Sequence, residues 1–460
     1  MLKLKKISAI LACFLSIAIF ATGCGGDDDD SSAEVVTNVI TEADGDEDGG
    51  TTTASVQLET EVVTDADGNA VTGVGGNPIT EMVTEKPAET GTLSEEDIQA
   101  VMTATVTQAT TIVNSSVDNT TRYAYNTLDD DEKALYDAIL GAASTMSPKI
   151  FGTDNLSMEK WAKVFGMVYN QEPQLFWLSS KIKIGRLYFN ETDTEQIAAM
   201  QKEIDTTVNQ LVSEANKKSS TFDKLKVFHD YLVLNSTFEK DDAAGSYNQS
   251  IYNAFSGGTS SQGNIQCSGY AKAMQYLCDQ VGIDCIVITG TNSEGASHAW
   301  NKVKVEGEWY NLDCTWDDPI LTTPVYNYIR YNNFLVPDSW INEKTHFNIN
   351  SVTLNSGGTF SYFTPPTATA TAQNYFIKNN LVYSDFDSAD AALKKALEDT
   401  ASAGGTVAEI MVDSKDVYNK LVSDLKGYQD YIKGKNSSVK GVADNCNEYM
   451  LIVQLDIKYN

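Results

Sequence analysis

Apolar residues recur every three or four positions in several segments between residues 92 and 235. This spacing places them along one side of a helix, and polar capping residues such as Thr92 precede the segments. We therefore predict a helical region over 92–235 that leads into the centre of the chain. The predicted helices are Thr92–Val113, one that starts after Thr127, Met158–Tyr169, Thr192–Lys217 and Thr221–Leu234. Between them, Gln174–Leu178 and Lys181–Asn190 are predicted to be strands or extended segments.

A further helical pattern starts at Cys267 and continues through Ala271, Met274 and Leu277 to a stop at Gly282. Cys267 then lies in the first turn, where unpaired N–H groups and the helix dipole favour a thiolate. Gly269, in the same turn, leaves room for the close approach of another backbone segment or a substrate.

The pattern changes to strand-like alternation from His298 to Val305, and Glu306-Gly307 is typical of a tight turn before a returning strand. With a two-residue loop, Asp313 becomes the diagonal neighbour of His298 on one face. A four-residue loop would place the two directly opposite each other. A three-residue loop without a bulge would separate them.

After these strands, an aromatic segment from Val325 to Val336 is expected to join the core, which we bound at 236–363. A Pro-containing linker over Thr364–Ala372 separates it from a second unit, residues 373–460. Short runs there predict the order β-β-α-β-α-β. The predicted fold class is α+β, with a Cys-bearing helix packed on an antiparallel sheet, a helical region before it and a small α+β accessory domain after it. In that domain the predicted strands are Asn374–Lys378, Leu381–Phe386, Val407–Val412 and Tyr449–Ile457, and the predicted helices are Ala389–Ala401 and Ser414–Ile432.

The N-terminal 91 residues lack these patterns. Residues 1–24 combine three lysines with an apolar run from Ile7 to Ala21 that is too short for a comfortable membrane span, which is typical of an export signal. The run ends in Thr22-Gly-Cys24, which resembles a bacterial lipobox and implies cleavage before Cys24 and lipid attachment to its thiol. We expect a protein anchored by lipid at the outer face of the cytoplasmic membrane. An ordinary signal peptide is the alternative.

Charge marks residues 25–91 as a tether. Between Asp27 and Ala100 there are 20 acidic residues and one basic residue, a net charge of −19 out of −30 for the whole chain. Such a segment, poor in aromatic residues, cannot bury enough surface to fold. A pI near 4.3 without a basic patch also disfavours binding to nucleic acid.

The candidate chemistry lies at Cys267, His298 and Asp313, whose side chains can supply a nucleophile, a general base and a group that orients the base. The surrounding motifs resemble those of the transglutaminase-like superfamily, especially its bacterial extracytoplasmic members. Gln266-Cys-Ser-Gly-Tyr-Ala271, Ser297-His-Ala-Trp-Asn301 and Trp309-Tyr-Asn-Leu-Asp313 with Thr315-Trp-Asp-Asp318 match, in order, its nucleophile motif, its histidine strand and its returning strand.

This resemblance implies a papain-like arrangement and a thiol enzyme that acts on amide or peptide bonds, by hydrolysis or by acyl transfer. The expected substrates are proteins or peptides at the cell surface or envelope, and no cofactor is expected. Trp300, Trp316 and Gln262 are candidate substrate contacts, and the backbone N–H of Cys267 is a candidate oxyanion donor. The alternative is a catalytically silent binding or scaffold module that keeps the fold.

The other histidines and cysteines are assigned structural roles. We predict that His229 packs on the apolar side of its helix and that His346 is structural. Cys278, Cys285, Cys314 and Cys446 are expected to be reduced, although Cys278 and Cys285 could form a disulfide. No Cys/His cluster has zinc-ligand spacing, so we predict no metal site.

Overall fold

The computed structural model describes residues 119–153, 155–239, 247–256, 264–318, 329–341, 345–353 and 359–460, and the backbone of 58–62 and 80–84. The predictions for the export signal, Cys24, the helix Thr92–Val113 and Gln262 lie outside these residues. Within the predicted tether, Leu58–Val62 (β1) pairs antiparallel with Thr80–Thr84 (β2). The assignment of 25–91 as a tether stays a prediction.

The described part of the chain contains four α-helices between residues 130 and 235, and each begins where the side chain of a Ser or Asp residue accepts a hydrogen bond from a first-turn N–H group. Asp129 and Glu132 form a reciprocal capping box at the first of them. The predicted helices are thereby confirmed to within a few residues. They are Asp130–Ser144 (α1), Met158–Gln171 (α2), Thr194–Asn216 (α3) and Thr221–Asn235 (α4). The extended stretches between α2 and α3 pair only through isolated bridges, such as Leu178 with Phe189.

The centre of the fold is a four-stranded antiparallel sheet whose strands lie side by side in chain order, with the Cys-bearing helix packed on it. Asn301 in the second of these strands donates from Nδ2 to the carbonyl of Ala271 at 2.9 Å, which fixes the helix to the strand. The elements of this region are Thr237–Phe238 (β3), Ile251–Phe255 (α5), Asn264–Ile265 (β4), Cys267–Gln280 (α6), Cys285–Thr291 (β5), Ser297–Val305 (β6), Glu308–Leu312 (β7), Cys314–Asp317 (α7), Phe334–Val336 (β8), Asp338–Ile341 (α8), Ser351–Thr353 (β9) and Thr359–Ser361 (β10).

The hairpin between β6 and β7 has a two-residue loop, the first of the three alternatives considered above, since Val305 pairs with Glu308. Glu306 and Gly307 both have positive φ values, 52° and 91°. This is the backbone of a type I′ turn, whose twist matches that of the two strands. The loop fixes the register of everything that follows on β7.

One hydrophobic core extends from Ala124 to Phe363, so the helical region and the central sheet are packed as one body. Trp161 and Phe228 from the helices, and Trp177 from the segment after α2, are as fully buried as Trp300 and Phe334 from the sheet. Among the described residues, no helix is both long and apolar enough to cross a membrane.

The C-terminal residues form a second core around a four-stranded sheet of order β11-β12-β14-β13, in which β11 and β12 are parallel and the other pairs antiparallel. This confirms the α+β class but corrects three details. The segment predicted as strand Asn374–Lys378 is a short helix, the predicted helix Ser414–Ile432 is broken at Asp424, and the strand Val439–Asp444 was not predicted. The elements are Tyr375–Lys378 (α9), Val382–Tyr383 (β11), Phe386–Ser402 (α10), Val407–Val412 (β12), Lys415–Ser423 (α11), Leu425–Lys435 (α12), Val439–Asp444 (β13) and Ile452–Tyr459 (β14).

The two cores meet through an apolar contact, which we call the junction cluster. The central unit contributes two buried side chains to it and the C-terminal unit four. Its members are Val336, Ile341, Phe376, Met411, Met450 and Ile452.

Candidate active site

Cys267 is the first residue of α6, as the sequence predicts, and Gln266 is its N-cap. The Gln266 side chain makes no capping bond. Its Oε1 instead accepts a hydrogen bond from Gln249 Nε2 at 2.8 Å. The positive end of the helix dipole is therefore directed at the region of the thiol, where it favours a negative sulfur.

The thiol lies against the central sheet. Cys267 forms a small buried cluster with Ala271, Val287 on β5 and Ala299 on β6. Since Ala299 follows His298, the cysteine lies beside the strand segment that carries the histidine. Cys267 is only 2% exposed, so little water surrounds the sulfur and nearby charges act on it strongly.

His298 and Asp313 are joined by a hydrogen bond of 2.6 Å between Nε2 and Oδ2. The ladder between β6 and β7 ends at Asn301 and Leu312, and Asp313 then becomes the N-cap of α7. Its other oxygen, Oδ1, accepts from the backbone N–H groups of Thr315 at 2.9 Å and Trp316 at 3.2 Å. The predicted pair is thus formed, with the carboxylate held by a helix cap in addition to the strand register.

His346 also contacts Asp313, a contact that the sequence did not indicate. Its Nε2 donates to the same oxygen of Asp313 at 2.9 Å, and its Nδ1 lies 2.7 Å from Thr345 Oγ1. His346 thus contacts the same carboxylate oxygen as His298, and whether its role is structural stays a prediction. The link depends on the chain returning from residue 345, which no local pattern reveals.

The three groups differ in their electrostatics. Burial would raise the pKa of Asp313, but the charge and hydrogen bond of His298, with the hydrogen bond of His346, hold it well below its usual range. Burial lowers the pKa of His346, and its bond to Asp313 does not offset this. The arrangement is thus an ionised carboxylate beside a neutral His346, whose Nδ1 accepts from Thr345 and whose Nε2 carries the proton.

The predicted substrate contacts have different surroundings. Trp300 is fully buried, packs edge-on against His346 with ring centroids 4.5 Å apart, and donates from Nε1 to Asn311 at 3.2 Å. The ring therefore packs against His346 in this structure, and its role as a substrate contact stays a prediction. Trp316 is half-buried and lies 6.0 Å from the ring of His298, so its role as a substrate contact stays a prediction.

His298, Asp313 and His346 also offer three potential metal ligands within 4.8 Å of one another. However, Asp313 Oδ2 lies 2.6 and 2.9 Å from the two histidine nitrogens, whereas ligand atoms around a tetrahedral zinc are roughly 3.3 Å apart. The observed separations are those of hydrogen bonds, so the residues are arranged to share protons.

A second His-Asp pair, His229 with Asp317, is linked to the site through α7. His229 on α4 donates from Nε2 to Asp317 at 3.1 Å, and Asp317 Oδ1 also accepts from the backbone N–H of Asn333 at 2.9 Å. Both members of the pair are fully buried. The contacts of His229 agree with its predicted packing role and tie α4 to α7, whose N-cap is Asp313.

The other four cysteines in the described part of the chain have free thiols. Cys278, Cys285 and Cys314 are buried, and Cys446 is partly buried in the C-terminal unit. Burial raises the pKa of the Cys285 and Cys314 thiols far above the usual range, which makes them poor nucleophiles.

Comparison with known proteins gives a family match for the part of the chain that forms this site. Residues 206–314 match the model of the transglutaminase-like superfamily. Over 80 residues the chain is 31% identical to the kyphoscoliosis peptidase of Mus musculus and, equally, to that of Homo sapiens. Each match covers 15% of this chain and 12% of the relative, so the chain spans only a small part of the curated relatives that it matches.

Two solved structures are also similar. The crystal structure of a TGase shares 22% identity with a TM-score of 0.24, over 30% of this chain and 37% of that one. The periplasmic domain of TgpA from Pseudomonas aeruginosa shares 16% identity with a TM-score of 0.21, over 25% of this chain and 43% of that one.

Proposed function

The chain contains a transglutaminase-like superfamily domain at residues 206–314, and from this premise we propose that it is a thiol enzyme acting on amide or peptide bonds. The superfamily includes both cysteine peptidase-like and transglutaminase enzymes. The observation that carries the proposal is the His298–Asp313 hydrogen bond of 2.6 Å beside a cysteine at a helix N-terminus. Nucleophile, base and orienting group are the three parts that acyl transfer through a thiol requires.

In the first half-reaction, the Cys267 sulfur attacks the carbonyl carbon of the substrate. The imidazolium of His298 then protonates the leaving amine, and the C–N bond breaks to leave a thioester. Asp313 stabilises the imidazolium and holds one ring nitrogen by a hydrogen bond. The other ring nitrogen is then free to exchange protons with the sulfur and the leaving amine. The negative oxygen of the intermediate is assigned to the backbone N–H of Cys267 at the helix start.

In the second half-reaction, the neutral His298 takes a proton from water or from an amine, which attacks the thioester and releases the thiolate. Water makes the protein a hydrolase, and an amine makes it an acyltransferase. Together with the export signal and Cys24 proposed for lipid attachment, this chemistry suggests envelope or surface peptides and proteins as substrates. The match to a peptidase over 80 residues is compatible with hydrolysis and does not separate the two outcomes.

The test is the rate of iodoacetamide alkylation at each cysteine, mapped by mass spectrometry between pH 5 and 9. We expect Cys267 to react well below the pH at which ordinary thiols ionise, and to slow in His298→Ala. Cys446, the partly buried thiol of the C-terminal unit, is the internal control. An ordinary or absent response of Cys267 would instead favour a silent binding module that has kept the fold.

A further inference from the structure

The indole of Trp300 lies against both histidines that bond Asp313. Its ring centroid is 4.5 Å from that of His346, in an edge-on arrangement, and 5.8 Å from that of His298, in a stacked one. Trp300 and the two histidines are at most 3% exposed. Aromatic rings that pack in this way limit one another's orientation. A tilt of the indole would therefore displace the imidazoles, and the His298–Asp313 bond depends on how its imidazole is turned.

The indole is held at both ends. At one end, Nε1 of Trp300 donates to Asn311 Oδ1 on the neighbouring strand at 3.2 Å. At the other end the ring lies against Gly290 on β5, where an added Cβ atom would come within 2.9 Å of Cη2 of the indole. Trp300 therefore has little room to tilt as long as Asn311 stays in place.

Asn311 is fixed in turn by a buried charge pair. Its Nδ2 donates to Asp338 Oδ1 at 2.8 Å and to the carbonyl of Val336 at 3.3 Å. Lys302, which is 2% exposed, donates from Nζ to the same oxygen of Asp338 at 2.7 Å. Because a carboxylate only accepts and an indole N–H only donates, these partners allow one orientation of the Asn311 amide. A hydrogen bond to a charged group is about twice as strong as one between neutral groups, so this orientation is firmly set.

The same charge pair holds the linker to the C-terminal unit. Asp338 Oδ2 accepts from the N–H of Ala368 at 3.0 Å, and the backbone N–H of Asp338 donates to the carbonyl of Ala368 at 2.7 Å. Lys302 Nζ also donates to the carbonyl of Pro366 at 2.6 Å. A continuous series of contacts therefore runs from the linker to the imidazoles of the site.

We propose that Asn311 is a positioning residue of the active site. By holding the indole of Trp300, it sets the orientation of the His298 and His346 rings. Asp338 fixes Asn311 in the conformation that this requires. The linker, bonded to the same carboxylate, thereby supports the site without touching a substrate. The inference rests on the proposed function, since it adds a residue on which the triad depends.

The test uses full-length protein labelled with nitrogen-15 histidine, because the chain contains only three histidines. NMR follows the N–H protons and the pH titration of each imidazole, and alkylation of Cys267 is measured between pH 5 and 9. In Asn311→Leu we expect the signals of His298 and His346 to shift or broaden. Alkylation should slow about two- to tenfold, the effect of one lost hydrogen bond. The signals of His229 should stay in place and serve as the internal control.

Asn374→Leu is the matched control variant. Asn374 is 1% exposed, as Asn311 is, and its side-chain amide also makes hydrogen bonds. This variant should lower the melting temperature but leave the histidine signals and the pH profile of alkylation as in the wild type. A purely structural Asn311 would behave in the same way.

Trp300→Phe removes the indole N–H and keeps an aromatic ring beside the histidines. If Asn311 acts through the indole, adding Asn311→Leu to this variant should slow alkylation much less than it does in the wild type. Additive losses would contradict the proposal. It is also overturned if folded Asn311→Leu keeps the wild-type histidine signals and pH profile. Should that variant not fold, the same result for Trp300→Phe overturns it.

The NMR measurement is repeated in Cys267→Ser, in which no thiol takes part. Ordinary reactivity of Cys267 in the wild type would contradict the proposed thiol chemistry. The histidine signals would still decide whether Asn311 positions His298 and His346. Failure of this proposal is therefore distinct from failure of the proposed function.

Discussion

His298 and His346 donate to the same oxygen of one carboxylate, Asp313 Oδ2, at 2.6 and 2.9 Å. The other oxygen of Asp313 accepts two backbone N–H groups, so the carboxylate receives four hydrogen bonds. A carboxylate bonded in this way is fixed in both orientation and charge. We therefore propose that His346 acts on His298 through Asp313, as a positioning residue.

Replacing His346 should weaken the site without removing any member of the triad. We expect His346→Leu to slow alkylation of Cys267 about tenfold, since losing one hydrogen bond to a charged group costs about 1.5 kcal/mol. His346→Gln, which keeps an N–H donor, should recover part of the rate. The pH dependence of alkylation should also shift in the leucine variant, because Asp313, with one donor fewer, holds the proton of His298 more strongly. A purely structural His346 would leave the profile in place and change only the thermal stability.

Asp313 and Asp317, at the two ends of α7, allow a matched comparison. Asp313→Asn keeps a good N-cap for α7 but removes the charge, and we expect Cys267 reactivity to fall by roughly 10²- to 10⁴-fold. Asp317→Asn alters the second pair and should lower the free energy of unfolding by about 1–3 kcal/mol. Its effect on the alkylation rate should be small. Equal loss of reactivity in both variants, measured on folded protein, would contradict the assignment of Asp313 as the orienting group.

The second pair should make stability depend on pH. Burial would lower the pKa of His229, but hydrogen bonds with Asp230 and Asp317 outweigh it and raise the pKa. The folded protein thus retains a proton that the unfolded chain releases above about pH 6.5. The stabilisation is complete below that value and is lost as the pH rises through the folded pKa of His229.

Burial also raises the pKa of Asp317, despite its bonds to His229 and Asn333, and this contribution has the same sign but begins to be lost at lower pH, from about pH 4 upward. We therefore expect the melting temperature of the wild type, relative to His229→Asn, to decline as the pH rises from 6.5 upward. A constant difference across that range would show that His229 does not change its protonation on unfolding.

Gly269 provides a test of the close packing at the start of α6. A Cβ atom there would lie 2.7 Å from the carbonyl oxygen of Asn248 and 3.0 Å from Cβ of Ile265. We expect Gly269→Ala to lower the free energy of unfolding by about 1–3 kcal/mol, because backbone must move. Gly434→Ala, on α12 where nothing lies within 4 Å, should instead stabilise by about 0.5–1 kcal/mol. Chemical denaturation of both variants makes the comparison.

The local parts of the site could be predicted because short-range rules determine them. The helix start at Cys267 follows from apolar spacing. The Glu306-Gly307 turn could be predicted, but its loop length was left open between two, three and four residues, and the observed strand pairing identifies the two-residue loop. The capping role of Asp313 was missed because its position suggested a continuing strand. The bond from His346 requires a return of the chain across 33 residues, which periodicity does not encode.

The errors in the C-terminal unit have a similar origin. Tyr375–Lys378 is a short apolar run, and such runs fit a strand or a helix equally well until the packing decides. Here Asn374 caps the segment as a helix by accepting from the N–H groups of Phe376 and Ile377. The strand Val439–Asp444 contains Gly441, at an irregular point of its register, which weakened its alternating pattern.

The junction cluster also constrains how this protein could change by descent. Four of its six apolar side chains belong to the C-terminal unit, and they cover Val336 and Ile341 of the central unit. A descendant that lost residues after 372 would present these two side chains to water, next to the strand that completes the central sheet. Loss of the C-terminal unit would therefore require polar replacements at Val336 and Ile341 first. The two units are thus expected to be inherited and expressed together.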